Sequence, residues 1–194
     1  MSDSTKPQDA TSYHDTALGI IPRSELIVLE AEAIARGLGF VIEHYAADLT
    51  PEFLLGLHAE CFKPIFPEWA GTYRSINVET SSHAFPPFYQ VPELAANFFS
   101  DLNARLEYDP DPTELVAWAQ HRIVWIHPFQ DYNGRTARLF SNLLMLRLGL
   151  PLVEIKVESE TERKSYIQAL KAADNEDYRP LQGLLREAFR EAGD

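Results

Sequence analysis

The chain has 194 residues, 45% of them hydrophobic and 11% aromatic, enough apolar mass for one compact domain with a sizeable core. Its 17 Lys and Arg stand against 29 Asp and Glu, a formal net charge of -12, which argues against bulk attraction to nucleic acid or to an anionic membrane. Cys61 is the single cysteine, so neither an intrachain disulfide nor a cysteine-based zinc site can form, and a reducing, cytoplasmic setting is expected.

The N-terminal stretch MSDSTKPQDATSYHDT lacks the apolar core of a signal peptide, and the most apolar later run, LLMLRLGLPLV, is broken by Arg147 and Pro151; no membrane span is expected. Residues 1–17 read as a flexible polar tail and 18–194 as a single domain. In SELIVLEAEAIARGL, Leu26, Leu29, Ala33 and Ile34 recur at helical spacing, with Ser24 as the cap and Gly37 weakening the end. A second helix begins at Thr50-Pro51-Glu52, where threonine accepts an orphan amide and proline fits the first turn. In GTYRSINVETSSHAFPPFYQVP the period changes to alternation, which reads as a short exposed β-hairpin or extended flap.

Helix returns from Glu93, and again after DPDPT, with Asp111 as cap, Pro112 in the first turn and Glu114 reaching back. Leu115, Ala119, Ile123 and Ile126 form its apolar face. RTARLFSNLLMLRLGLP follows with Leu139, Leu143 and Leu146 on one face and Gly149-Leu150-Pro151 as the stop, and ERKSYIQALKAA and RPLQGLLREAF close a mostly α domain.

Between the fourth and fifth of these helices lies HPFQDYNGRTAR, residues 127–138. Pro128 disfavours helical geometry at His127, so the imidazole projects from a turn as an available base. The next helix starts near Asn133 or Gly134, where unpaired amides, the helix dipole and a glycine admit an anion. Arg135 and Arg138, three apart, are expected on one face above it, as guanidinium forks for phosphate oxygens. Asp131 can hold a magnesium ion through one carboxylate while phosphate and water complete the shell. Each residue also has a plainer explanation: Asp131 as a cap, the arginines as structural ion pairs, Phe129 as a core anchor.

The order of these residues resembles the motif of the Fic family, His-x-Phe-x-Asp/Glu-Gly/Ala-Asn-Gly-Arg-x-x-Arg. His127, Phe129, Asp131, Asn133, Gly134, Arg135 and Arg138 match it, and the likeness extends from LTPEFLLGLHAECF, PEWAGTYRSINV and AFPPF to YIQALKAADNEDYRPL. The resemblance implies the Fic fold, a helical bundle with a β-hairpin flap beside the active-site loop. It also implies transfer of AMP from ATP to a protein Ser, Thr or Tyr hydroxyl. On this chain His127 would be the base, Asp131 the magnesium ligand, Asn133, Gly134 and Arg135 phosphate binders, and Arg138 the holder of the γ-phosphate. The flap, including Ser75, Ile76, Asn77 and Val78, would dock the target protein by strand addition. Gly134 separates the chain from relatives that carry lysine there and transfer the γ-phosphate.

Two departures stand out. Tyr132 replaces a small residue and must point away from the phosphates. The inhibitory pattern Ser/Thr-x-x-x-Glu-Gly/Asn is missing, since Ser75 with Glu79 is followed by Thr80 and lies in the flap. The expectation is a chain either unrestrained or inhibited in trans by a small antitoxin-like partner that presents a glutamate to Arg138. Glu30 and Glu32 are weaker candidates for self-inhibition and read first as a solvated face. Phosphotransfer, transfer of another nucleotide and an idle binding module are the competing readings; a metal hydrolase ranks last.

Overall fold

The structure, a computed structural model, describes residues 13–80, 83–108, 111–157 and 159–193. Among them, the chain folds into seven helices: α1 (Arg23–Glu43), α2 (Pro51–Phe62), α3 (Val91–Tyr108), α4 (Pro112–Ile126), α5 (Asn133–Leu148), α6 (Glu160–Ala173) and α7 (Arg179–Gly193). Two antiparallel pairs accompany them, β1 (Tyr13–Thr16) with β2 (Gly19–Pro22) and β3 (Glu79–Thr80) with β4 (His83–Ala84). This is the expected mostly α bundle with a small flap hairpin.

Several helix ends follow from local chemistry. The Thr50 side chain accepts the Phe53 amide ahead of Pro51, and Asp111 accepts the amides of Thr113 and Glu114 ahead of Pro112. Each such cap is worth about 1 kcal/mol. Gly149 closes α5 in the left-handed region at φ 66, and Ser159 with Glu162 forms a full capping box on α6.

Three local expectations are corrected. Helix α1 starts at Arg23 behind Pro22 with no side-chain cap, so Ser24 is not its cap, and it runs past Gly37 to Glu43. Gly37 is a packing residue rather than a stop: a Cβ there would sit 2.5 Å from Cys61 Sγ and 2.6 Å from Leu139 Cδ1, so α1, α2 and α5 approach only because it has none. The Glu114 carboxylate accepts from Gln182 on α7 at 3.1 Å rather than closing a capping box. The expected tail also enters the fold early. Thr16 Oγ1 donates to the Gly19 carbonyl, the Leu18 amide donates back to Thr16 Oγ1, and the Ala17 amide docks on the Ile65 carbonyl at 2.8 Å. A two-strand hairpin is marginal alone, and this one leans on the body of the fold. Residues 1–12 of the expected tail lie outside the described residues.

The core is built around α4 and α5, which pack on each other, with α1 and α2 on one side and α3, α6 and α7 on the others. Phe53, Phe98 and Phe99 set their rings against Phe140 at 5.7 to 6.3 Å, edge-on geometry that adds to the area buried. Leu57, Leu102, Leu115, Leu143 and Leu144 are buried to 1% exposure or less. Cys61 packs among them, its thiol pushed up to about 12 by burial, an inert hydrophobe as its surroundings imply. The α4–α5 turn lies at the surface over this core.

Candidate functional site

The turn from His127 to Tyr132 is pinned at both ends by non-glycine residues in the left-handed region. His127 caps α4 at φ 51 and Tyr132 precedes α5 at φ 61. Each conformation costs roughly 1–2 kcal/mol, so something must hold it. Phe129 is fully buried, worth roughly 1.5–3 kcal/mol. Asn133 clamps the same residue from both sides, accepting the Phe129 amide and donating to its carbonyl, each at 2.9 Å. His58, buried in α2, stacks on the Phe129 ring at 3.7 Å. It accepts the Gly71 amide at Nδ1, so its proton is on Nε2, which donates to the Asp131 carbonyl at 3.2 Å. Burial holds this imidazole neutral, its pKa lowered to about 4.

The His127 imidazole has its Nδ1 3.1 Å from the Val124 carbonyl. A carbonyl only accepts, so in the neutral ring Nδ1 carries the proton and Nε2 the lone pair. The Phe85 ring stacks on this imidazole at 3.8 Å. The expected base is thus oriented on both sides, by a helix carbonyl and by an aromatic residue of the flap.

Tyr132 does turn away from the anion site. Its ring stacks on Phe62 at 4.2 Å and lies within 6.1 Å of Trp69, while its hydroxyl donates to Glu30 Oε1 at 2.8 Å. Burial, then the Glu30 charge, raises its pKa. Glu30 is 5% exposed, not a solvated face: Arg23 donates to Oε1 at 2.7 Å and Arg135 to Oε2 at 3.0 Å. Burial works against the Glu30 charge, but the hydrogen bonds from Arg23, Arg135 and Tyr132 with the Arg135 charge outweigh it and lower the pKa.

Arg135 and Arg138 therefore do not share a face as forks. Arg135 reaches back to α1, with Nη1 buried and without a hydrogen-bond partner among the described residues. Arg138 turns the other way, its Nε donating to Glu154 at 2.8 Å. The Tyr166 hydroxyl accepts from Gln120, whose carbonyl oxygen accepts from Ser141. The Asn133 side chain is 2% exposed and bonded to Phe129 through both its oxygen and its nitrogen, so its backbone amide in the first turn of α5 is the better placed group for an anion. The first-turn amides of α5 lack a side-chain cap, which leaves them directed at the loop. A Cβ on Gly134 would touch only Arg138 Nη1, at 3.6 Å. Internal packing thus does not require glycine, although glycine costs helix propensity. Asp131 is exposed, with Oδ1 accepting its neighbour Tyr132's amide at 2.6 Å, two residues before the first turn of α5.

The flap stands beside the base. Ser75, Ile76 and Asn77 are exposed and Val78 half-buried; Asn77 Oδ1 accepts the Phe88 amide at 3.0 Å. The hairpin itself is only two pairs long, Glu79 with Ala84 and Thr80 with His83; the limb from Tyr73 to Val78 bends at Ser75–Ile76 and is unpaired by β3 or β4, so the expected extended alternation there is not formed. Arg74, 3% exposed, sits at the flap's root. Sequence reasoning passed over Arg74, His58, Glu30 as an anchor, and Glu154. Their most distant partners lie 16 to 105 positions away, and only the buried chemistry of a lone polar residue among apolar neighbours, as at His58, could have drawn notice.

Among known proteins, the Fic/DOC family matches residues 48–145. Curated relatives carrying the name protein adenylyltransferase Fic include one from Nematostella vectensis, 36% identical over 136 residues, 69% of this chain and 30% of that protein. One from Culex quinquefasciatus is 33% identical over 133 residues, 69% of this chain and 26% of that protein. The chain thus spans less than a third of the length of these relatives. Fic-1 of C. elegans, solved over residues 134–508, superposes with a TM-score of 0.72 at 31% identity, covering 84% of this chain and 48% of that one. The N-terminal Fic domain, with bound ADP, of a VirB-translocated effector from Bartonella quintana superposes with a TM-score of 0.68 at 20% identity over 93% of this chain and 92% of that one, a likeness of fold.

Proposed function

The chain belongs to the Fic/DOC family, and from that premise we propose that it transfers AMP from ATP to a hydroxyl of a target protein. The observation that carries the proposal is the junction of His127 with the α5 N-terminus. An imidazole whose Nδ1 lies on the Val124 carbonyl, so that its neutral form carries the lone pair on Nε2, stands at the end of α4, six residues before a helix start whose amides have no side-chain cap. The hydroxyl proton passes to His127 Nε2 as the oxygen bonds to the α-phosphorus, and the bond from that phosphorus to the β-phosphate bridge breaks, releasing pyrophosphate. Backbone amides of Asn133, Gly134 and Arg135 and the α5 dipole receive phosphate oxygens, and Arg138 takes the terminal phosphate in place of Glu154. Gly134, which internal packing does not need, keeps the approach open.

Asp131 fits a magnesium ion: one exposed carboxylate beside the anion-binding helix start is what such an ion takes from a protein when phosphates and water supply the rest. Among the described residues no three His, Cys, Asp or Glu side chains form a cage. When bound, the ion would neutralise phosphate charge.

The target strand is proposed to lie along Ser75–Val78, where the limb is unpaired and Ser75, Ile76 and Asn77 are exposed. A small antitoxin-like partner is proposed as an inhibitor in trans, displacing Glu154 from Arg138 with its own glutamate. Arg138's present pairing with a carboxylate supports that chemistry. Among the described residues no helix is long and apolar enough to cross a membrane, and the single cysteine supports a cytoplasmic setting.

ATP labelled on the α-phosphate and ATP labelled on the γ-phosphate, each incubated with magnesium, the chain and a cytoplasmic lysate, test the reading. Protein-bound label from the α-position only, lost in His127→Ala, is the expected result. Label from the γ-position only would replace it with kinase chemistry.

A further inference from the structure

Arg74 is a buried cation that the proposed chemistry does not use. Its guanidinium is spread over three neutral carbonyls: Nε donates to His127 at 2.7 Å, Nη1 to Ile76 at 2.9 Å and Nη2 to Pro86 at 2.5 Å. Its backbone amide donates to Pro128 at 2.9 Å. Ile76 and Pro86 lie on the two limbs of the flap, on either side of the β3–β4 pair, and His127 is the base. One planar group therefore ties both flap limbs to the residue that must meet the target oxygen. Next to Pro86, Phe85 lies flat on the His127 ring at 3.8 Å, a second contact between the same limb and the same imidazole.

Burying a guanidinium at 3% exposure against carbonyls alone is unfavourable unless its fork geometry is used. A lysine would carry the same charge but could not hold three divergent carbonyls in one plane.

We propose that Arg74 is a positioning residue that sets the distance and orientation of His127 relative to the target segment on the flap. Resting on the adenylyl-transfer reading, this names the element that aligns the base with the target. The Arg74–His127 bond holds the carbonyl of the left-handed cap, so the imidazole keeps its bond from Nδ1 to Val124. The Ile76 bond holds the limb along which the target lies, and the Pro86 bond holds the limb that carries Phe85. A misplacement of about 1 Å in such a pair is enough for a loss on the order of a hundredfold in turnover.

The full-length chain with Arg74→Lys and, separately, Arg74→Met tests this. Expected are a fall in kcat for target modification of roughly tenfold in the lysine variant and a hundredfold in the methionine variant. The Kd for ATP should stay within about twofold, because Arg74 contacts no part of the α5 N-terminus. The second readout is the tautomer of His127 by imidazole 15N NMR: wild type shows the proton on Nδ1, and Arg74→Lys shows a mixture. If Arg74→Met fails to fold, Arg74→Lys with the NMR signal decides alone. An unchanged kcat, or a lower kcat with an unchanged His127 tautomer, overturns the proposal. If wild type transfers no α-labelled phosphate, adenylyl transfer falls by itself, and the His127 signal in Arg74→Lys still decides whether Arg74 orients the base.

Discussion

Replacing Glu30 by glutamine probes the anchor beneath the motif. The side chains are of equal size, but the carboxylate that accepts from Arg23, Tyr132 and Arg135 becomes an amide with only one acceptor oxygen. Whichever way it turns, its NH2 faces a donor. A hydrogen bond to a charged group contributes about 1.5–3 kcal/mol; relief from burying the carboxylate offsets part of the loss, and Arg23 and Arg135, with side chains 36% and 30% exposed, recover some hydration. A net loss of about 2–3 kcal/mol follows, or roughly 5–10 °C in Tm for a chain of this size. The effect depends on pH with a fixed sign. The folded Glu30 pKa lies below the ordinary value of 4.5, so its stabilisation is full above that pH and is lost as pH falls through the folded pKa. Urea unfolding of wild type and Glu30→Gln from pH 7 down to pH 3 measures both. The gap should be widest near neutrality and narrow toward acid; no gap at pH 7, or one that widens on acidification, refutes the anchor.

Gly37→Ala should destabilise by about 1–3 kcal/mol from overpacking against Cys61 and Leu139, despite alanine's better helix propensity; a rise in Tm would show that the three helices can part without cost. His58→Gln should lower stability by about 3 kcal/mol at pH 7, since the Gly71 amide and Asp131 carbonyl lose well-placed partners. With the folded His58 pKa near 4 against an ordinary 6.5, wild type should also lose stability as pH falls from about 6.5 to 4, a slope reduced in the variant; equal slopes in urea titrations would contradict this. Glu154→Gln frees Arg138 from a pair whose carboxylate side is 57% exposed. Such pairs contribute about 0.2–1 kcal/mol, so ATP should bind roughly two- to fivefold tighter by calorimetry, and an unchanged Kd would mean that Glu154 does not compete.

The helix starts at Thr50-Pro51 and Asp111-Pro112, the stop at Gly149, and the break at His127-Pro128 were readable because their causes are local: a side chain within three residues of an orphan amide, or a ring that fixes φ. The order of residues from His127 to Arg138 carried the family for the same reason, since one turn and the first turns of one helix hold every group. The role of Gly37 is decided elsewhere, by the thiol of Cys61 and the side chain of Leu139, and Ser24 lies inside a helix that already starts at Arg23 behind Pro22. The directions of Arg135 and Arg138 could not be read from their spacing. A three-residue step places two arginines near one face, but long flexible side chains go where the carboxylates are, and Glu30 and Glu154 are supplied by α1 and by the segment after α5. The same holds for His58 and Arg74, whose longest-range hydrogen bonds span 73 and 53 positions. Local sequence determined the backbone of the site and the chemical groups available in it; the partners that orient those groups were decided by packing, because a buried polar group takes whatever acceptor the fold brings within reach.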